Sequence, residues 1–329
     1  ETHVILFIGD HPCNKDGSII TGIQHSSHNQ DLGNGIVVNH SFSNKPNQTY
    51  PNYYDKVVRY CDIISAPAKS LDPSVTEKTF NVPEPEDVNS VFQYMDTNSS
   101  RAEICKISEK VAGQKIAIIG LGGTGSYILD LVAKTPISEI HLFDADYFLV
   151  HNAFRCPGAP STEQLRERHK KIEHLKNIYT NMHRGIITHD IFVDGQNVNE
   201  LKDMDFVFLS MDSGAGKKCI IVYLEENGIS FIDVGIGVHA VEDSLIGIVS
   251  TTVSTKEKRD HIKNRISLAE GEKNEYSKNI QIAELNALNA VLAVIKWKKL
   301  FGFYQDLEKE HFTAYTINTG ELTNEDHIT

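Results

Sequence analysis

Across 329 residues the chain carries a single tryptophan, four methionines and five cysteines. The cysteines, at 13, 61, 105, 156 and 219, are odd in number, widely scattered and without a Cys-x-x-Cys pair. That pattern argues against a disulfide framework and fits free thiols in a reducing, cytoplasmic setting. No apolar run approaches the ~20 residues a membrane span needs, and the opening residues do not read as a secretory signal. Positive charge is also short: 32 Lys and Arg stand against 44 Asp and Glu, a formal charge of −12. A nucleic-acid partner calls for a basic stripe to neutralise phosphates, so that class is disfavoured. The one dense basic run, at 166–171, is interrupted by an acidic residue and reads as a solvated helix face. The rest of the composition is that of an ordinary globular chain long enough to bury a proper core.

Residues 1–95 are rich in Asn, Ser, Pro, His and Gly, with short apolar runs at 4–8, 35–38 and 62–65, and the module they suggest is bounded at 1–88. Short runs between turn residues favour strands, so a small β-rich or α+β module is expected. The prolines of 82–87 read as an extended linker, and a helical segment is expected from about Ser90 to Val111. From Lys115 strand and helix alternate, with strands expected at 115–119, 139–143, 186–192, 205–210, 229–234 and 245–250, and helices at 124–134, 162–182 and 214–227. Such alternation makes the main domain, 89–305, an α/β, Rossmann-like, mainly parallel sheet with covered faces. Ligands in such sheets sit beyond the carboxyl ends of the strands. The polar stretch 253–277 reads as a long mobile connection. A helix follows at 279–297, with an apolar stripe at 282, 285, 288, 292 and 295. Asn286 and Asn289 lie beside that stripe, and buried interface amides or ordinary exposed positions both remain open for them. Residues 306–329 read as a C-terminal extension.

The motif that carries chemistry begins at the end of the first of these strands. Residues 120–126 read Gly-Leu-Gly-Gly-Thr-Gly-Ser, and the next strand ends in Asp144-Ala-Asp146, followed by Asn152 and Arg155. A strand, a glycine turn and a helix start present backbone N–H groups to phosphate. A nicotinamide fingerprint asks for one acidic residue after the second strand; the additional Asn and Arg point to a triphosphate. The combined pattern resembles the ThiF/MoeB adenylyltransferases and ubiquitin-activating enzymes over roughly residues 101–300. Residues 1–95 loosely resemble an N-terminal extension fused to some bacterial members of that family.

Adenylation of a carboxylate requires a cradled triphosphate, a held ribose, a magnesium ion and stabilisation of charge at the α-phosphate. Gly120, Gly122, Gly123 and Gly125 allow close backbone approach, and Ser126 offers a hydroxyl at the helix start. The resemblance implies that Asp144 holds the ribose, with Asp146 a second carboxylate of open role. It also implies that Asn152 and Arg155 contact the β- and γ-phosphates, for which a planar guanidinium is suited. A phosphate-directed lysine belongs on the next helix. Lys170 and Lys171 are adjacent and a helix turns about 100° per residue, so one faces the site, and Lys171 is chosen. Asp212 is the magnesium candidate, with helix capping as its alternative. The family shows Asp-Asn here with an Arg four residues on; this chain has Asp212-Ser213 and Lys217. Arg101 stands where an arginine reaches a neighbouring subunit's triphosphate, so a homodimer is implied.

Two further departures matter. The missing Cys-x-x-Cys pairs remove the four-cysteine zinc site of many relatives, and residues 240–329 contain no cysteine to accept an acyl group. Cys156, beside Arg155, has cationic neighbours that lower a thiol pKa, yet a packed spectator thiol is the favoured reading. Cys13, His25, His28 and His40 have loose spacing, which favours polar loop residues over a zinc site. The expected activity is ATP- and Mg2+-dependent adenylation of the C-terminal glycine carboxylate of a ubiquitin-like protein, for transfer to a ubiquitin-conjugating-like acceptor. Adenylation of a peptide or small carboxylate, including one on a modified tRNA, is the second reading. A nucleotide-binding scaffold is the third, and a nicotinamide dehydrogenase ranks last.

Overall fold

The computed structural model describes residues 3–33, 35–47, 49–78, 80–83, 85, 89–212, 214–266, 268 and 280–328. The chain divides into two compact units, Glu1–Asn81 and Val82–Thr329. Much of the expected 82–87 linker lies outside the described residues.

In the first unit β1 (Val4–Phe7), β2 (Gln24–Asp31) and β3 (Val37–Ser43) form an antiparallel sheet in the order β1-β3-β2. The expected strand-like run at 62–65 instead lies inside α1 (Tyr53–Leu71). Asn52 starts that helix by accepting the Asp55 N–H at 2.8 Å, a side-chain cap that satisfies an otherwise orphaned donor. Tyr60 on α1 is buried against Phe42 and Ile23, and its hydroxyl donates to the carbonyl of His3. Residues of the loosely spaced Cys/His set are engaged locally: His25 with Ser41, His40 with Ser27, and Cys13 with the carbonyl of His11. Among the described residues no cluster of three or more metal-ligating side chains forms.

The second unit opens differently from the single helix expected at 90–111. Asp96 caps a short α2 (Thr97–Arg101) by accepting from Asn98 and Ser99. Glu103 then adopts a left-handed φ of 58° before α3 (Cys105–Ser108). Asn and Ser are poor in helix interiors because their side chains compete for backbone groups, so this stretch breaks into turns.

Beyond it run β4 (Lys115–Ile119), α4 (Gly123–Val132), β5 (Glu139–Phe143), α5 (Val150–Ala153), α6 (Thr162–Glu167), α7 (Lys171–Tyr179), β6 (Ile186–His189), β7 (Phe206–Leu209), α8 (Ala215–Glu226), β8 (Ser230–Val241), β9 (Ser244–Ser254), α9 (Ile262–Arg265), α10 (Ala283–Leu300), β10 (Phe312–Thr316) and β11 (Glu321–Glu325). They build an eight-stranded sheet ordered β11-β10-β9-β8-β7-β4-β5-β6. The run β8-β7-β4-β5-β6 is parallel, as expected for strands joined by crossover helices. The extension β8-β9-β10-β11 is antiparallel. The expected C-terminal extension is therefore the outer edge of the same sheet. Strand order reverses between β4 and β7, and that reversal opens a crevice at their carboxyl ends.

Two layers cover the sheet. One face packs Ile116, Ile118, Leu142 and Phe208 against Leu129, Leu175, Ala290 and Trp297; the other packs Ile119, Leu209 and Phe231 against Ile220 and Leu224. The helix expected at 162–182 is two helices, because Arg168 sits at a left-handed φ of 51°. The polar stretch expected to be a mobile connection begins as structure, with Ile262 and Ile266 buried around α9; positions 267 and 269–277 fall outside the described residues. On α10 the buried face differs from the expected stripe. Leu285, Asn286, Asn289, Ala290, Ala293, Val294 and Trp297 face inward, while Ile295 is 39% exposed. Small alanines let the helix lie close to α4 and β8; both polar ends of Asn286 find partners, and Asn289 donates to Gly235 while its Oδ1 has none.

Candidate functional site

The glycine turn is built to be tight. Gly120 takes a positive φ of 87°, and a Cβ there would meet the carbonyl oxygen of Ser210 at 2.6 Å. A Cβ on Gly125 would lie 2.0 Å from the Gly120 carbonyl oxygen, and one on Gly123 2.1 Å from Nδ2 of Asn286. These three glycines serve backbone packing. Gly122, the residue before α4, has open space where its Cβ would be, so the turn is open there at the start of α4. Ser126 corrects the sequence reading. It is fully buried and donates to the carbonyl of Gly123 at 2.7 Å, so its hydroxyl closes the turn from inside.

Asp144 binds this turn to the end of β5. Its carboxylate accepts the N–H of Leu121 at 2.7 Å and that of Asp146 at 2.8 Å. Lys171 Nζ completes the group, 3.3 Å from Asp144 Oδ2 and 2.7 Å from Asp146 Oδ2. Lys171 is buried at the first position of α7. Lys170, one residue earlier, turns to the carbonyl of Ala145 and to Asp190. The break at Arg168 is what separates the two lysines: α7 restarts at Lys171, and Lys170 lies in a bridge with Tyr147.

Asn152 and Arg155 come from α5 and the residues just after it. Asn152 is 1% exposed; its Oδ1 accepts the N–H of Leu149 at 2.9 Å, while its Nδ2 has no partner. Arg155 is half-buried, and its Nε likewise lacks a partner. Buried donors are nearly always satisfied, so such orphans point to a missing acceptor. They lie beside the turn: Asn286 Nδ2 approaches the Arg155 carbonyl at 3.5 Å, and Cys156 Sγ approaches that of Gly122 at 3.8 Å. His151 is held below the ordinary histidine value by burial and then by the Arg155 and Lys171 cations. Cys156 reverses the expectation of a lowered thiol pKa. It is 5% exposed, and burial pushes the thiol up by more than Arg155 and Lys171 pull it down. Only the thiolate is nucleophilic, so this cysteine is built as a packed group.

Asp212 lies exposed beyond the end of β7, at the reversal of strand order. The residue that caps α8 is Gly214, two positions after Asp212. Lys217 does not reach toward solvent. It is 5% exposed and pairs with Asp233 on β8, at 2.5 Å. Burial raises the Asp233 pKa, and Lys217 opposes the shift. Arg101 ends α2 on the surface. Sequence reasoning missed Ser210, whose hydroxyl donates to the carbonyl of Gly120. It also left Asn286 open. The available signal for both was position: a small polar residue ending a fully apolar strand, and an amide inside an apolar helix.

Comparison with known proteins places these observations in a family. The model described as "ThiF family" matches residues 97–310, and "Domain of unknown function (DUF6791)" matches residues 1–97. The tRNA threonylcarbamoyladenosine dehydratase of Haemophilus influenzae is 29% identical over 123 residues, 36% of this chain and 46% of that protein. Ubiquitin-like modifier-activating enzyme 5 of Drosophila virilis is 24% identical over 152 residues, 43% of this chain and 38% of the relative. The chain thus spans less than half the length of these curated relatives. The crystal structure of E. coli MccB with ATP superposes with a TM-score of 0.56 at 17% identity, covering 70% of this chain and 72% of that one. That likeness shows the fold. No helix among the described residues is long and apolar enough to cross a membrane.

Proposed function

The chain belongs to the ThiF family, and from that premise we propose that it is an ATP-dependent adenylyltransferase acting on the C-terminal carboxylate of a ubiquitin-like protein. The observation that carries the reading is the pair of solvent-shielded donors without partners, Asn152 Nδ2 and Arg155 Nε, beside the open Gly122. Together they supply hydrogen bonds and positive charge to a polyphosphate at a helix start, the arrangement phosphoryl chemistry uses. Asp144 would accept from the ribose hydroxyls at the end of β5. Lys171, already buried against Asp144 and Asp146, would turn part of its charge toward the phosphates.

In the proposed reaction a carboxylate oxygen attacks the α-phosphorus, the bond to the bridging oxygen of the β-phosphate breaks, and pyrophosphate leaves. Arg155 and the amides of the turn stabilise the charge that develops on the phosphates. Asp212, an exposed carboxylate at the mouth of the crevice, suits a magnesium ion, which takes one or two protein carboxylates and completes its shell with phosphate and water. Bound there, the ion would neutralise polyphosphate charge. With Cys156 buried and no cysteine after residue 240, the acyl group would pass to a partner's cysteine, amine or hydroxyl. Arg101 is assigned to the triphosphate of a second copy in a homodimer.

A second substrate class has support of its own. Relatives named tRNA threonylcarbamoyladenosine dehydratase favour a small carboxylate on a modified tRNA, while the −12 charge of this chain opposes a polyanionic partner. Magnesium-dependent ATP–pyrophosphate exchange separates the readings. Exchange that depends on one ubiquitin-like protein ending in glycine supports the first; exchange that depends on modified tRNA replaces it with the second. Mg-ATP binding without exchange under either condition would refute adenylation as the activity.

A further inference from the structure

The geometry points to Asn286, on α10, as a positioning residue for the triphosphate end of this site. It is fully buried, and its two polar atoms are divided between the two halves of the site. Oδ1 accepts the Thr124 hydroxyl at 2.9 Å, in the first turn of α4. Nδ2 approaches the backbone carbonyl of Arg155 at 3.5 Å. The same amide lies over Gly123, whose missing side chain is what admits it. One step along the same helix face, Asn289 donates to the carbonyl of Gly235 on β8 at 3.0 Å, which fixes the rotation of α10 about its axis.

Asn286 therefore touches no phosphate position but sets the spacing between the glycine turn and the segment that carries Arg155. A carboxamide suits this place because it accepts from one side and donates to the other. A leucine of similar bulk, the commoner choice for an interior helix position, would leave the Thr124 hydroxyl and the Arg155 carbonyl buried without partners. The glycine at 123 and the asparagine at 286 depend on each other: any larger residue at 123 excludes the amide.

The inference rests on the nucleotide reading of the site, and it concerns the β- and γ-phosphates in particular. Arg155 is assigned to those groups, so misplacing it weakens ATP and spares AMP. The test is calorimetry of the full chain with Mg-ATP and with AMP, alongside urea unfolding followed by fluorescence of the single tryptophan, Trp297. Asn286→Ala is expected to weaken ATP binding by roughly tenfold or more, with AMP affinity changed by less than about threefold. Because Asn286→Ala also opens a small cavity, the other end of the bond is tested independently. Thr124→Val, which removes only the hydroxyl, is expected to reproduce the selective loss, and Thr124→Ser, which keeps it, to restore parent affinity. Parent ATP affinity in both Asn286→Ala and Thr124→Val overturns the positioning role. So does an equal loss of ATP and AMP that tracks the fall in the urea midpoint. If the parent chain binds neither nucleotide, the reading of the site fails first and the inference falls with it.

Discussion

Replacing Asp144 by asparagine distinguishes a carboxylate that holds the site together from one that merely lines it. Asp144 is 5% exposed and accepts from three donors: Leu121 N–H at 2.7 Å, Asp146 N–H at 2.8 Å and Lys171 Nζ at 3.3 Å. A carboxamide of the same shape has one accepting oxygen. Whichever way it is turned, one backbone N–H faces an NH2 group and loses its partner, at about 1–3 kcal/mol. Lys171, itself buried, is left with the exposed Asp146 alone, and its weakened pairing adds a further ~1–2 kcal/mol. The expected loss is thus about 2–5 kcal/mol. Asp146→Asn is the control. Its side chain is 56% exposed and Lys171 keeps the buried Asp144 when it is lost, so removing this half-exposed partner is expected to cost about 1 kcal/mol. Trp297 is the only tryptophan and is fully buried in the same unit, so its fluorescence during urea unfolding reports on this unit alone. Equal midpoints for Asp144→Asn and the parent, or equal losses for the two variants, would refute the reasoning.

Other expectations follow from the same geometry. Arg155→Ala and Asp212→Ala are each expected to abolish ATP–pyrophosphate exchange while leaving the urea midpoint near that of the parent; full activity in either would remove that residue from the site. Cys156→Ser is expected to leave exchange intact, because burial already keeps the thiol protonated; loss of exchange at normal stability would show that the thiol reacts. Stability is expected to fall as pH drops from about 7 to about 5.5. Burial holds His174, His183, His261 and His311 below the ordinary histidine value, so below ~6.5 the unfolded chain binds more protons than the folded one. Urea midpoints that do not move over that range would contradict the burial of these rings. For the ion pair of Lys217 and Asp233, removing either partner alone is expected to cost about 3–5 kcal/mol, whereas Lys217→Met with Asp233→Leu recovers most of it; single variants as stable as the parent would show the pair to be solvated.

The parts of the fold that could be read directly are those where one periodicity acts without competition. The strands at 115–119, apolar after Lys115, and at 139–143, which alternates polar and apolar up to Leu142, are short, and they appear with those bounds. Misreadings fall where a local signal was overridden. The run at 62–65 is strand-like by composition, yet it joins α1 because Asn52 caps that helix and Tyr60 anchors it. The break at Arg168 leaves no mark in apolar spacing, since the pattern of α6 continues into α7; only a left-handed residue divides them. The strand expected at 245–250 is part of β9, whereas the antiparallel strands β10 and β11 beyond it were hidden for another reason. β10 and β11 form a local hairpin, but it joins the sheet only through β9, far away in sequence, and pairing of that kind is decided by the sheet already formed rather than by either strand's own residues.

The site divides along a similar line. Residues whose side chains were expected to face a ligand split into two groups once the backbone is in place. Asp144, Lys171 and Ser126 are engaged within the protein, whereas Asn152 and Arg155 retain unpartnered nitrogen atoms. A motif records that a residue type is required at a position, and it is silent on whether the requirement comes from a ligand or from the turn that holds the ligand. Ser126 illustrates the ambiguity: its hydroxyl was expected at the phosphate and instead closes the helix start from within. Asn286 shows the converse, since no motif marks it and its partners Thr124 and Arg155 are 162 and 131 residues away in sequence. Buried donors without partners also occur away from the turn, at Arg259 and Thr251 among others, so it is their position beside a glycine turn, and not their occurrence, that bears on a ligand. Asn152 and Arg155 combine both features, unpartnered nitrogens and a place beside Gly122, and the anion-binding role proposed for them rests on that combination.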